Sequence, residues 1–193
     1  KYRAYYKSID DSTKKRHYEG TQTWIGLHPQ ALQTPYCDIY KALSMLKKFE
    51  IKKIIDIGSG YGRVGHVMNS LFPKASFVGY EVLEQRQREG NRIFELHQLL
   101  NCKIELKNVL EEQFELPKAD IYFIYDFSEM KDLSQILTEL SSRLINQSFF
   151  LIVKGERINY LLANKFKEFW LSSGYLQAGD LKIYSSRCNL KNI

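Results

Sequence analysis

Cysteine, proline and long apolar runs are all scarce in this chain. Its 193 residues include 3 Cys, 4 Pro and 2 Trp. The cysteines (Cys37, Cys102 and Cys188) are scattered and form no CxxC pair. An odd, sparse set points to a reducing, cytoplasmic setting and away from a disulfide framework or a zinc site. The four histidines (His17, His28, His66 and His97) share no metal-ligand spacing, so no metal is expected. No apolar run approaches the roughly 20 residues that span a bilayer. No secretory signal is visible, and no membrane partner is expected. The chain begins at Lys1 rather than Met, so further residues are expected upstream.

What is present suits one globular domain. The hydrophobic share is 44%, and a chain of this length buries about 70% of its unfolded surface in a single core. The net charge is +6. Much of the excess lies in residues 1–20, where Lys1, Arg3, Lys7, Lys14, Lys15 and Arg16 face Asp10, Asp11 and Glu19. We read this stretch as a basic N-terminal arm, either a solvated tail or a contact for an acidic partner or nucleic acid. Residues 21–193 are expected to form the single domain. It opens on an ordered loop holding Trp24, Gly26, His28, Pro29, Thr34 and Pro35.

Strand and helix patterns then alternate. A helix is expected from Thr34-Pro35, with threonine as cap and proline at the first helical position. Ile39, Ala42, Leu43, Leu46 and Phe49 line one of its faces. Lys53–Ile57 reads as a β-branched strand. Val64, Val67, Met68 and Leu71 form a helical stripe that Pro73 stops. Ser76–Tyr80 is a second strand. A charged helix follows from about Glu84 to Leu100, with Ile93, Leu96 and Leu100 inward and Gly90 weakening it. Lys103–Lys107 and Asp120–Tyr125 are further strands, the latter apolar enough to be covered on both faces. Leu133, Ile136, Leu137, Leu140 and Leu144 mark another helix, and Phe149–Val153 a fifth strand. Leu162, Phe166, Phe169 and Trp170 face inward on a helix that Gly174 ends. Tyr175–Ala178 and Leu181–Ser185 form a hairpin around Gly179-Asp180. The sum is an α/β, three-layer αβα sandwich: a Rossmann-like, mostly parallel seven-stranded sheet with a C-terminal antiparallel hairpin.

The chemistry concentrates at Ile54–Gly65, IIDIGSGYGRVG. An apolar strand ends in an acid, a glycine-rich turn follows, then a helix, then a second strand ending in Glu81. That order cradles an adenosine-containing ligand at the open end of a parallel sheet. The turn Gly58-Ser59-Gly60-Tyr61-Gly62 lets main chain approach the ligand. It is one residue shorter than GxGxxG and lacks the GK[ST] ending of a phosphate loop. Asp56 would repel phosphate but suits a cationic cofactor. S-adenosylmethionine carries an ammonium and a sulfonium and no phosphate, so the acid favours it over NAD or ATP. Glu81 is placed to accept the ribose hydroxyls.

This segment resembles motif I of the class I, seven-strand S-adenosylmethionine-dependent methyltransferases, and the likeness extends from about Thr34 to the C-terminus. Asp56-Ile57-Gly58-Ser59-Gly60-Tyr61-Gly62 is similar to the DLGSGxG run of the non-SET lysine methyltransferases, including the Dot-type enzymes. Val78-Gly79-Tyr80-Glu81 is similar to their VGxE. Ile121–Phe127 is similar to their fourth strand and its active-site end. The resemblance implies that Asn108, followed by Val109, flanks the adenine. It also implies that the loop Gln33-Thr34-Pro35-Tyr36 touches the cofactor through Thr34 and Tyr36. The cofactor set is therefore Thr34, Tyr36, Asp56, Gly58, Ser59, Gly60, Gly62, Glu81 and Asn108. Dot-type enzymes carry asparagine where this chain has Tyr125, so histone specificity is not expected.

Methyl transfer from a sulfonium asks for alignment and water exclusion more than for acid or base. A lysine acceptor must arrive unprotonated, and an apolar aromatic channel favours that form. Tyr125 and Phe127 are the expected walls. Asp126 is expected to accept a hydrogen bond from the amine, which makes Tyr125 and Asp126 the candidate catalytic residues. Base-amine methyltransferases place [DNS]PP[YF] at this point. Asp126-Phe127-Ser128-Glu129 has neither proline, which counts against that chemistry. Protein lysine is the expected substrate. RNA, with Arg86, Arg88 and Arg92 as contacts, a small molecule, or a non-catalytic cofactor-binding module are the alternatives.

Overall fold

A computed structural model describes residues 33–143, 147–169 and 174–185. The basic arm, Trp24, Leu144, Trp170 and Cys188 lie outside the described residues.

Helix α1 (Tyr36–Ser44) leads into strand β1 (Lys53–Ile57), helix α2 (Arg63–Leu71), strand β2 (Ser76–Glu81), helix α3 (Glu84–Leu96) and strand β3 (Cys102–Leu106). Strand β4 (Ile121–Tyr125), helix α4 (Met130–Arg143), strand β5 (Phe150–Lys154) and helix α5 (Glu156–Asn164) follow. A single 3-10 turn (Lys167–Phe169) precedes the hairpin of β6 (Leu176–Ala178) and β7 (Leu181–Ser185). The sheet order is β3-β2-β1-β4-β5-β7-β6. The first five strands pair in parallel, and β7 runs antiparallel to both β5 and β6. The seven-stranded architecture is the one expected.

The central strands carry apolar residues on both faces because both faces are covered. One layer packs Ile39, Leu43, Val64, Met68 and Phe94 of the first three helices against Ile54, Phe77 and Phe123. The other packs Leu133, Ile136, Leu137, Ile158 and Leu162 of α4 and α5 against Ile55, Tyr122 and Leu151. Strand order reverses between β1 and β4, so the chain leaves their C-terminal ends towards opposite faces of the sheet and opens a crevice there. No helix among the described residues is long and apolar enough to cross a membrane.

Three local expectations are corrected. Thr34 does not cap α1. Pro35 takes the N-cap place without a side-chain cap bond, and its carbonyl accepts the N–H of Asp38 and Ile39 at 3.1 and 3.2 Å. Helix α3 stops at Leu96, and Leu96 and Leu100 are 67% and 95% exposed instead of inward. Its buried face is Glu89, Gly90 and Phe94. A Cβ on Gly90 would lie 2.3 Å from Ile104, so the glycine is what lets the helix sit against β3. Last, α5 ends at Asn164 rather than at Gly174, although Leu162, Phe166 and Phe169 are buried as expected.

Candidate functional site

The glycine turn is stitched to the end of β2. The N–H groups of Gly58 and Ser59 both donate to the Tyr80 carbonyl at 3.0 Å, and Gly62 N–H donates to the Ser59 carbonyl at 2.9 Å. Gly58 and Gly60 have φ of 76° and 55°, where an L side chain is strained. A Cβ on Gly58 would also come within 3.0 Å of the Phe127 Cβ. Gly60 instead faces open space, so a ligand can approach its main chain.

Glu81 holds the turn. Its Oε2 accepts Gly60 N–H at 2.9 Å, while Oε1 accepts Val82 and Leu83 N–H, each at 2.9 Å. A carboxylate oxygen has room for about two donors. Oε1 is therefore filled, and Oε2 keeps one acceptor position. The expectation that Glu81 receives both ribose hydroxyls is revised to one in this geometry.

Asp56 behaves differently. It is 5% exposed, yet among the described residues its carboxylate has no hydrogen-bond or ion-pair partner. Burial, and then the nearby Glu81 charge, pushes its carboxyl up to about 8. A buried acid left alone is costly unless something cationic meets it.

Two cavities open at the switch point. The larger, about 860 Å³ of open space, includes Thr34, Asp56, Glu81, Arg63, Tyr125 and Phe127 in its wall. The smaller, about 350 Å³, lies among Tyr80, Lys107, Asn108, Val109 and Leu110. Gly58, Glu81 and Phe127 border both. Each cavity falls within the range of small-molecule sites, about 300 to 1,000 Å³.

The structure places the expected residues unevenly. Asp56, Gly58, Ser59, Gly60, Glu81 and Thr34 meet at the larger cavity, and Asn108 sits at the smaller one. The Asn108 Oδ1 accepts Leu110 N–H at 3.1 Å, which shapes the loop after β3. The Ser59 hydroxyl is buried without a partner and lies against Gly79, where an added Cβ would be 2.5 Å away. Gly62 serves as N-cap of α2 and not as cavity wall. Tyr36 is 48% exposed and stacks on Arg63, 4.8 Å from ring centre to guanidinium.

At the other side of the crevice, Tyr125 lines the cavity, with the Lys154 ammonium 5.4 Å from its ring centroid. Burial, with Asp126 and Asp180 charges behind it, raises its hydroxyl pKa. Asp126 also reaches the cavity wall, and each of its oxygens accepts a main-chain N–H. Oδ2 accepts Arg157 N–H at 2.8 Å and Oδ1 accepts Ile158 N–H at 2.9 Å. Asp126 is thus the N-terminal cap of α5, held so close that a Cβ on Gly155 would fall 2.2 Å from its Cγ. Burial pushes its carboxyl up, and the two N–H donors pull against that. Asp126 thus positions α5, and it does so from the cavity wall where its expected role towards an acceptor amine lies.

Sequence reasoning missed Arg63 and Phe123, which also line the cavity. Arg63 follows the last glycine of the turn, and that adjacency was the available signal.

Solved structures share this architecture. A SAM-dependent methyltransferase from Aquifex aeolicus superposes with a TM-score of 0.56 over 81% of this chain and 95% of its own, at 15% identity. An RNA methyltransferase from Salinibacter ruber, in complex with S-adenosyl-L-homocysteine, gives 0.57 over 79% and 91%, at 12% identity. The fold is that of the class I methyltransferases. Human N-acetylserotonin methyltransferase, in complex with SAM, gives 0.52 at 11% identity, over 78% of this chain and 50% of its own. The chain spans about half the length of several such structures, 52% of mitomycin 7-O-methyltransferase for one. No family model matches the sequence, and no curated protein matches it. In this methyltransferase fold, the crevice described above lies where the connections after β1 and β4 diverge.

Proposed function

We propose that the protein is an S-adenosylmethionine-dependent methyltransferase whose acceptor is a protein lysine side chain. The observation that carries the cofactor reading is the pair of cavities joined at Gly58, Glu81 and Phe127, with the unpartnered acid Asp56 in the wall. Two carboxylates in one wall disfavour a phosphate and favour a cationic nucleoside. When bound, the cofactor supplies a methyl group activated on a sulfonium.

The residues divide the work by position. Asp56 meets the ammonium of the amino-acid end. Glu81 Oε2 accepts one ribose hydroxyl, and Asn108 with Val109 and Leu110 borders the adenine. The main chain of Gly58, Ser59 and Gly60 forms the close-packed floor, while Thr34 and Tyr36 close the loop above it. Phe123, Tyr125 and Phe127 wall the acceptor end. An amine of ordinary pKa about 10.4 loses its proton more readily between such walls, because they disfavour the charged form. Asp126 holds the start of α5 beside this end, and the amine proton passes to water. Support for lysine comes from the resemblance of Asp56–Gly62 and Val78–Glu81 to non-SET lysine enzymes, and from the absence of prolines after Asp126. A cytoplasmic setting is part of the proposal and rests on the sparse cysteines.

The test is transfer of tritiated methyl from S-adenosylmethionine into lysate fractions. Protease-sensitive label that hydrolyses to methyl-lysine is expected. Nuclease-sensitive label would replace lysine with RNA, and label in small molecules would replace it with a metabolite. Tight cofactor binding with no label would make the protein a binding module.

A further inference from the structure

We propose that the outer face of α1, along the rim of the larger cavity, binds single-stranded RNA. The inference concerns what the protein rests on and not what it methylates, and it does not depend on the cofactor reading.

Helix α1 turns Ile39, Ala42 and Leu43 inward, and Ile39 reaches the cavity wall. Tyr36 and Tyr40 are four residues apart on this helix, so their side chains are neighbours on its outer face. They are 48% and 49% exposed. Among the described residues the Tyr40 ring and hydroxyl have no partner. Tyr36 carries the Arg63 guanidinium on its ring. Lys41 on the helix and Lys47 in the turn after it are exposed, and no acid pairs with either among the described residues. Lys48 beside them is exposed too, its ammonium 5.6 Å from the Phe49 ring centroid. The acids nearest in the chain are engaged elsewhere. Asp38 lies against Gly179 of the hairpin turn, and Glu50 pairs with Lys52 at 3.1 Å. The face is therefore both cationic and aromatic.

Phosphates answer lysines that have no acid of their own, and an unpaired base has a flat face that stacks on tyrosine. A duplex hides those faces. An acidic peptide answers the lysines and leaves Tyr40 bare. The sequence before α1 repeats the composition: Tyr2, Tyr5, Tyr6, Tyr18 and Trp24 are interleaved with the basic residues of the arm. Basic residues supply the electrostatic footprint of nucleic-acid binding, and interleaved aromatics supply the stacking platform for a single strand. In the cytoplasmic setting proposed above, that strand is RNA.

The experiment is fluorescence anisotropy of the full chain with a labelled oligouridylate of about 12 nucleotides, within the site sizes of single-strand binders, over a range of salt. Lys41→Ala and Lys47→Ala should each flatten the slope of log affinity against log salt by about 0.7. Tyr40→Ala should weaken binding about tenfold at fixed salt, the worth of one stacked base. Tyr40→Phe keeps the ring and should stay within about twofold of wild type. Unchanged thermal midpoints certify folding in these variants, since none of the three side chains has a partner to lose among the described residues. Duplex RNA of the same length should bind more weakly. A wild-type chain that does not bind the oligouridylate would overturn the proposal. So would variants that bind as wild type does, which would move the contact away from α1. Duplex binding as tight as single-strand binding would remove the stacking. A glutamate-rich peptide that binds as tightly as the oligouridylate, and loses as much in Tyr40→Ala, would replace RNA with an acidic protein.

Discussion

The two sides of the crevice are built on opposite terms. At the β1–β2 side, polar groups are left open: Asp56 has no partner, Glu81 keeps one acceptor position, and Gly60 leaves bare space. At the β4–β5 side, polar groups are satisfied internally: Asp126 caps α5, and the Lys154 ammonium sits over Tyr125 and 3.7 Å from Asp180. The first side is a surface waiting for charge. The second is a set of walls. A transfer reaction driven by alignment needs that division, since one side must bind tightly while the other excludes water and holds shape. Mutations should separate the two sides, with binding defects on one and stability defects on the other.

The largest effect is expected at Glu81, the one residue that serves both purposes. Glu81→Ala leaves the N–H groups of Gly60, Val82 and Leu83 without their acceptor. At about 1 kcal/mol for each, stability should fall by about 3 kcal/mol, read by urea unfolding. Affinity for S-adenosylhomocysteine should fall at least about tenfold in the remaining folded protein. Normal affinity in a folded variant would take Glu81 out of the site and blur the division drawn here.

Asp126→Ala comes next and should move stability alone. It removes the cap of α5 and strands two buried N–H donors, a loss of about 2 kcal/mol. Cofactor affinity should hold. Asp126→Asn should cost less, because the amide oxygen still accepts one of the two bonds. If the asparagine variant were as stable as wild type while turnover collapsed, the carboxylate would act on the acceptor and the β4–β5 side would be more than a wall.

The same division explains what was legible in the sequence. The open side is local in sequence. Strand, glycine turn and the acid at the end of the next strand fall within Ile54–Glu81, and glycine has few reasons to recur there except close approach. The satisfied side is long-range. Asp126 and the N–H groups it caps are about 30 residues apart in the chain, and no periodicity reports such a pairing. Helix α3 failed for a related reason. Counting leucines put Leu96 and Leu100 inward, whereas the side that meets β3 is polar. Gln87 and Asn91 each donate to the Ile104 carbonyl, at 3.0 and 2.8 Å, and Asn91 Oδ1 accepts Ile104 N–H at 2.8 Å. A helix that reaches a strand through amides and a glycine leaves no hydrophobic stripe to read. Arg63 escaped because a helix-start arginine usually faces solvent, and only the fold brings it to Thr34 and Tyr36.

The last effect concerns protons, and it tests the open side most directly. Asp56 has an ordinary carboxyl value of 3.8 when unfolded and about 8 when buried. Between those values the folded chain holds a proton that the unfolded chain has released. Stability without ligand should therefore decline as pH rises from about 4 to about 8, and level off above. Asp56→Asn should remove that contribution to the slope. A bound ammonium favours the ionised carboxylate, so binding must expel the proton. At pH 7 most of one proton should leave per ligand bound, with the carboxyl held near 8 in the empty site. Affinity should then rise with pH, by up to about tenfold or about 1.4 kcal/mol per unit, until pH passes that value. Calorimetry of S-adenosylhomocysteine binding in buffers of different ionisation enthalpy reads the proton count. The count should drop towards zero in Asp56→Asn. A wild-type count of zero at pH 7 would mean that Asp56 keeps one protonation state throughout, and would take the proton-expelling contact with the ligand ammonium out of the site.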